Sequence, residues 1–89
     1  MAEGTEPRPI SFDNFISDLN EPFSRNSGMY LDQYLYTATN KPGPNDGFVI
    51  TQVRNANAIQ QVAFDIAGNI ARRYLYNGTI SEWKTITPQ

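Results

Sequence analysis

The feature that most constrains this fold is the segment from Phe48 to Ile86. Four strand-like stretches follow one another there with only three or four residues between them. They are Phe48 to Arg54, Ile59 to Ile66, Ile70 to Tyr76 and Ile80 to Ile86, joined through Asn55-Ala56-Asn57, Ala67-Gly68-Asn69 and Asn77-Gly78. Parallel strands need a crossover of about a dozen residues or more, so connectors this short join antiparallel neighbours. Asn77-Gly78 is the strongest hairpin signal, because both residue types tolerate the positive φ that a two-residue turn demands. In the second of these stretches Val62, Phe64 and Ile66 alternate with Gln61, Ala63 and Asp65, the pattern of a half-buried strand. Trp83 is opposite in phase to Glu82 and Lys84, which suits it to anchor a core. There is no βαβ period, which argues against a nucleotide-binding parallel sheet.

Upstream, Met29 to Ala38 is rich in Tyr, Leu and Thr and predicts one more strand, followed by a Pro/Gly/Asn loop at 40–47. Phe12, Phe15, Ile16 and Leu19 fall at i, i+3, i+4 and i+7 behind Ser11 as N-cap, predicting a short helix that Pro22 ends. Residues 1–10 are polar and framed by Pro7 and Pro9, and they read as a tail or linker. The expectation is a single domain over 11–89: mainly β, an antiparallel meander or small sandwich of about five strands with a short N-terminal helix. The 89 residues leave no room for a second core.

Composition removes whole classes of chemistry. With no Cys and no His, disulfide staples, zinc fingers, thiol nucleophiles and histidine-based triads are ruled out. A net charge of -2 and a pI of about 4.8 argue against a general nucleic-acid or anionic-membrane binder. No stretch is long and apolar enough to span a bilayer, and none has signal-peptide form. What survives is a carboxylate-based enzyme or an oxygen-ligated cation. Asp65 and Glu82 are the carboxylate pair considered for glycan hydrolysis, which also needs a cleft that so small a domain seldom builds. Asn45-Asp46-Gly47 lacks the alternating oxygens of a calcium loop and reads as a turn. No catalytic residue, metal site or cofactor is therefore expected.

An ordered series of motifs does carry a resemblance. It comprises Asp18-Leu19-Asn20, Gly28-Met29-Tyr30, the loop from Asn40 to Asp46, Gly47-Phe48-Val49-Ile50, Gln60-Gln61, Gly68 to Tyr74, Asn77-Gly78 and Trp83-Lys84-Thr85-Ile86. In this order they resemble the knob domain of phage tail fibres and of R-type pyocin tail fibres, over about residues 18–87. The pieces are turn glycines, strand aromatics and a C-terminal Trp, so they speak to architecture rather than chemistry. One departure is the approach to the first strand, where Arg25-Asn26-Ser27-Gly28 stands in place of a Thr-Pro-Gly-aromatic turn. The resemblance implies a β-rich module on a homotrimeric fibre of the virion, made in the bacterial host cytoplasm. It implies contact with other tail or spike proteins and, in some members, attachment to bacterial surface glycans. Other members are spacers only.

On that reading the candidate contact residues are Tyr34, Tyr36, Arg73 and Asn77. Tyr rings offer flat apolar area with a hydroxyl at low entropic cost, although Tyr is also simply a good strand former. Tyr30, Tyr34 and Tyr36 share a strand face with Asp32, which makes that face a better surface candidate than the one bearing Met29, Leu31 and Leu35. Arg72 and Arg73 point to opposite faces; one meets solvent, and the other needs a partner such as Asp65 or a second subunit. Loop 40–47 and the Asn77-Gly78 turn are the expected outward tips. Three functions follow: multivalent host attachment, ligand-free fibre joining, and carboxylate-based glycan hydrolysis.

Overall fold

A computed structural model describes residues 15–86. It is one antiparallel sheet of six strands: β1 (Gly28–Tyr34), β2 (Gly47–Asn55), β3 (Ala58–Asp65), β4 (Ile70–Tyr76), β5 (Thr79–Ile80) and β6 (Lys84–Ile86). The order is β1-β2-β3-β4, with β5 and β6 both pairing with β4. The meander over 48–86 is thus present, and the mainly β, antiparallel architecture stands. The predicted fifth strand is split, because Ser81, Glu82 and Trp83 leave the ladder between β5 and β6. Asn77 (φ 50°) and Gly78 (φ 85°) both take positive φ, as a tight hairpin between β4 and β5 requires.

The short N-terminal helix is a correction. Residues 11–14 lie outside the described residues, but Phe15 to Asp18 runs as an extended strap that a turn at Leu19 and Asn20 ends, with parallel bridges from Phe15 to Gln33 and from Asp18 to Thr39. Its backbone is satisfied across the chain: Ile16 N–H donates to Gln33 O (2.9 Å), Leu19 N–H to Thr39 O (3.1 Å), and Thr39 N–H to Ser17 O (2.9 Å). Asp18 Oδ1 accepts the Asn20 N–H (2.9 Å), a local bond that competes with helical pairing. Pro22 does not end a helix; it lies in the first turn of a 3₁₀ helix over Glu21–Ser24, where its missing N–H leaves nothing unpaired. β1 also stops at Tyr34, four residues before the predicted Ala38.

The strap covers one face of the sheet. Ile16, Leu19, Tyr34, Ala38, Val49 and Ala63 form the core, with Trp83 packed against them. The Trp83 indole N–H donates to Asn40 O (2.9 Å), which fixes the ring beside the loop. This face also holds Thr51, Val53, Ile59, Ala71 and the polar Asp32, Gln61 and Arg73, all buried. The alternation in β3 is present but inverted relative to the core. Ile59, Gln61 and Ala63 are buried, while Val62 and Phe64 are half-exposed and Ile66 is 76% exposed. The strap settles the choice, because Leu19 O accepts from Gln61 Nε2 (2.8 Å) on the covered side.

The same inversion corrects the reading of β1. The face with Tyr34 and Asp32 is buried, whereas Met29 (65%) and Leu35 (47%) are exposed. Tyr36, no longer in the strand, is exposed on the following turn. Asp32 is held by Arg25 in a forked pair at 2.8 and 3.1 Å, and the Arg25 guanidinium also sits 5.0 Å from the Tyr30 ring centroid. Tyr30 O–H donates to Asn26 O (2.6 Å) and Ser27 Oγ to Arg54 O (3.0 Å). Arg25, Asn26 and Ser27, where the sequence departs from the knob motif, therefore serve as a polar clasp on β1.

Candidate functional site

Of the four residues singled out from the sequence, two are interior. Tyr34 is 1% exposed, and its hydroxyl has no hydrogen-bond partner among the described residues. Its ring stands over Gly47, its register partner on β2; a Cβ there would collide with Phe64 O and with the Tyr34 hydroxyl. Burial, with the nearby Asp65 charge adding to it, pushes the phenol up to about 12.

Arg73 is buried as well. Its Nε–H donates to Gln61 Oε1 and Nη2 to Asn20 Oδ1, both at 2.7 Å, and the guanidinium stacks between Phe23 (5.0 Å) and Trp83 (4.7 Å). Gln61 passes the network on to Thr51 Oγ1 (3.0 Å). Burial lowers Arg73 to about 10, with the Asp18 carboxylate pulling the other way. The partner expected in Asp65 is instead a pair of neutral amides and two aromatic faces, so Arg73 pins the strap to the sheet.

The other two candidates are exposed but far apart. Tyr36 follows the loop end of β1, and its N–H donates to Asp46 Oδ1. Asn77 caps the opposite end, beyond β4. The length of β4 separates them by about 20 Å, so they do not share a site.

The carboxylates considered for hydrolysis are separated too. Asp65 lies level with the turn before β4, whereas Glu82 lies beside Arg73 and Tyr74 between β5 and β6. That offset is ~13–17 Å along the strands, beyond the separation that either glycosidase mechanism uses. Asp65 is occupied in shaping its turn, accepting from Ala67 N, Asn69 N and Asn69 Nδ2 at 2.9–3.0 Å and from Asn45 Nδ2 at 3.3 Å. Burial alone would raise its pKa; the Asn69 bonds, with those from Asn45 and Ala67, more than offset this and lower it. Asp46 likewise accepts from the Tyr36 backbone, as a turn residue does. Among the described residues no cluster of three His, Cys, Asp or Glu could hold a metal ion.

The feature best shaped for contact lies on the opposite face of the sheet, at the Asn77 end. The even-numbered side chains of β2, β3 and β4 point there, and a groove of about 480 Å³ runs across them. Gln52, Gln60 and Tyr74 form one cross-strand row; Ala58 and Tyr76 pair in the next, beside Arg54. Ala58 contributes little bulk, so the floor dips between Arg54 and Tyr76. Tyr74 is 49% and Tyr76 61% exposed, which leaves their rings available on the β4 wall. The sequence contained this signal in the spacing of Arg72, Tyr74 and Tyr76, which one strand puts on a single face. It was missed because only the structure tells which face the strap covers.

Toward the loop end the same face turns apolar, with Leu31, Phe48, Ile50, Val62, Phe64 and Ile70 all half-buried. Phe48 and Phe64 stack at 4.9 Å with an interplanar angle of 15°. No protein-family model, curated protein or solved structure matches this chain.

Proposed function

We propose that this chain is a non-catalytic module of a bacteriophage or prophage-derived fibre or spike that contributes to attachment at the bacterial surface. It binds surface glycans through weak contacts repeated over several copies. The observation that carries the reading is the groove: two exposed Tyr rings beside Gln52, Gln60 and Arg54, on a rigid sheet face that the strap leaves open. Flat rings stack on the apolar faces of sugars, and amide and guanidinium groups bond their hydroxyls. The motif series from Asp18 to Ile86 supplies the fibre context and, with it, the expectation of a homotrimer carried on the virion with other tail proteins.

A second reading, a fibre-joining protein without a ligand, is favoured by the apolar half of the open face. In the attachment reading that half is where copies of the chain meet, leaving the groove free at the far end. The deciding experiment is binding of the fluorescently labelled protein to a panel of bacterial strains, with released surface polysaccharide as competitor. Attachment predicts saturable binding that the polysaccharide displaces and that Tyr74→Ala with Tyr76→Ala abolishes at unchanged solution mass. Oligomers that bind no strain would support the joining role. Release of reducing ends from the polysaccharide would instead revive hydrolysis.

A further inference from the structure

The charge on the open face says more about the ligand than the chain's overall balance does. Three of the seven basic residues in the sequence, Arg54, Arg72 and Lys84, lie on this face: Arg72 and Lys84 are register partners, and Arg54 is on the same side of β2. The described acidic side chains are elsewhere or occupied. Asp32 is buried under the strap with Arg25, Asp18 belongs to the strap, Glu21 opens the 3₁₀ helix near Arg25 and Asp32, and Asp46 and Asp65 cap turns. Glu82 is the one acidic side chain at the edge: it lines the neighbouring depression with Arg72, Tyr74 and Lys84 but is absent from the groove wall and forms no ion pair with Arg72 or Lys84 among the described residues. Among the described residues the ion pair is Arg25 with Asp32, so Arg54, Arg72 and Lys84 have no carboxylate partner. An acidic chain thus presents one locally basic, aromatic-walled groove. At physiological ionic strength charges beyond about 8 Å are largely screened, so this local set governs what the groove meets.

We infer that the groove takes an anionic polysaccharide, with Arg54 and Arg72 bonding its acidic groups and Tyr74 and Tyr76 stacking on the sugar rings between them. This deepens the glycan reading and rests on it. Arg54 and Arg72 are two strands apart and offset by about four residues, which puts them ~10 Å apart across the sheet and ~13 Å along it. Such a spread suits charges spaced along a polymer rather than one small anion, which both would have to grip at once. A guanidinium bonds carboxylate and phosphate oxygens alike in forked geometry, so uronate carboxylates and phosphodiesters share the chemistry this groove selects.

The test measures binding of the immobilised full chain to polygalacturonate, to poly(glycerol phosphate) and to neutral dextran. The expected result is binding to at least one anionic polymer that weakens as salt is raised, with dextran bound at least tenfold more weakly. Arg54→Gln with Arg72→Gln should lower the anionic affinity about tenfold or more, and Lys41→Gln, the same kind of charge loss in the distant loop, should not. Which polymer binds separates carboxylate from phosphate as the source. Polygalacturonate whose carboxyls have been reduced to alcohols should lose the affinity. Equal binding to dextran, or an arginine double variant that binds as the parent does, overturns the anionic assignment while the glycan reading stands. No binding to any of the three, together with no displacement by bacterial polysaccharide, overturns both.

Discussion

At the scale of single residues, Tyr34 and Gly47 are the most informative pair. The phenol lies in the core with a hydroxyl that is unpaired among the described residues, against a glycine that has no room for a Cβ. An unsatisfied buried hydroxyl opposes folding, so Tyr34→Phe should match the parent within about 1 kcal/mol or exceed it in urea denaturation. Tyr34→Ala, which empties the space, should cost about 3–5 kcal/mol. Gly47→Ala should cost about 1–3 kcal/mol, because the new methyl meets a backbone carbonyl that cannot move aside freely. Titration gives an independent check. The folded phenol is raised to about 12 from 10.0, so the folded state holds its proton where the unfolded state loses it. That contribution is complete below pH 10 and is lost as pH rises toward 12; Tyr34→Phe should show less alkaline destabilisation than the parent. Arg25→Ala would strand the buried Asp32 carboxylate and should cost about 3 kcal/mol.

At the scale of elements, the strands were legible in the sequence and the strap was not. Turns such as Asn77-Gly78 impose their geometry locally, so β4 begins and ends where its composition says. Phe15, Ile16 and Leu19 show helical spacing, yet Ile16 from the extended strap and Leu19 from the turn behind it reach the core while Phe15 stays 53% exposed. What decides is tertiary: carbonyls of Gln33 and Thr39 accept from the strap, and Asp18 bonds Asn20 and Asn40 instead of supporting a helix. Choosing the covered face also decides the candidate site. Arg73 and Tyr34 became interior, whereas Tyr74 and Tyr76, in a strand assigned correctly, became the exposed wall. The acid response belongs to this scale. Asp18 is lowered, chiefly by the Asn40 side-chain bond and then the Asn20 backbone bond, and Asp65 is lowered by its turn. Both folded values lie below the ordinary aspartate value of 3.8, so the folded state binds fewer protons just under pH 4. Stability should fall as pH drops through that window, and Asp65→Asn should flatten the fall seen by circular dichroism.

At the scale of the whole molecule, the described residues close one face of the sheet and leave the other open, and the open face is divided. Its loop end is apolar and its Asn77 end is polar, basic and aromatic. A division of this kind lets copies associate through one half while the other stays accessible, and avidity then multiplies weak glycan contacts. Light scattering on a size-exclusion column should give a mass of three chains, and Phe64→Glu, which places a charge in the apolar half away from the groove, should reduce it to one. A parent that runs as a monomer would remove the avidity argument. The most direct test of the central claim is binding of the parent and of the Tyr74→Ala, Tyr76→Ala variant to polysaccharide released from bacteria that the parent labels. The account predicts that the parent binds and that the variant, folded and of unchanged mass, does not. Equal binding by both would contradict the groove as the site of attachment.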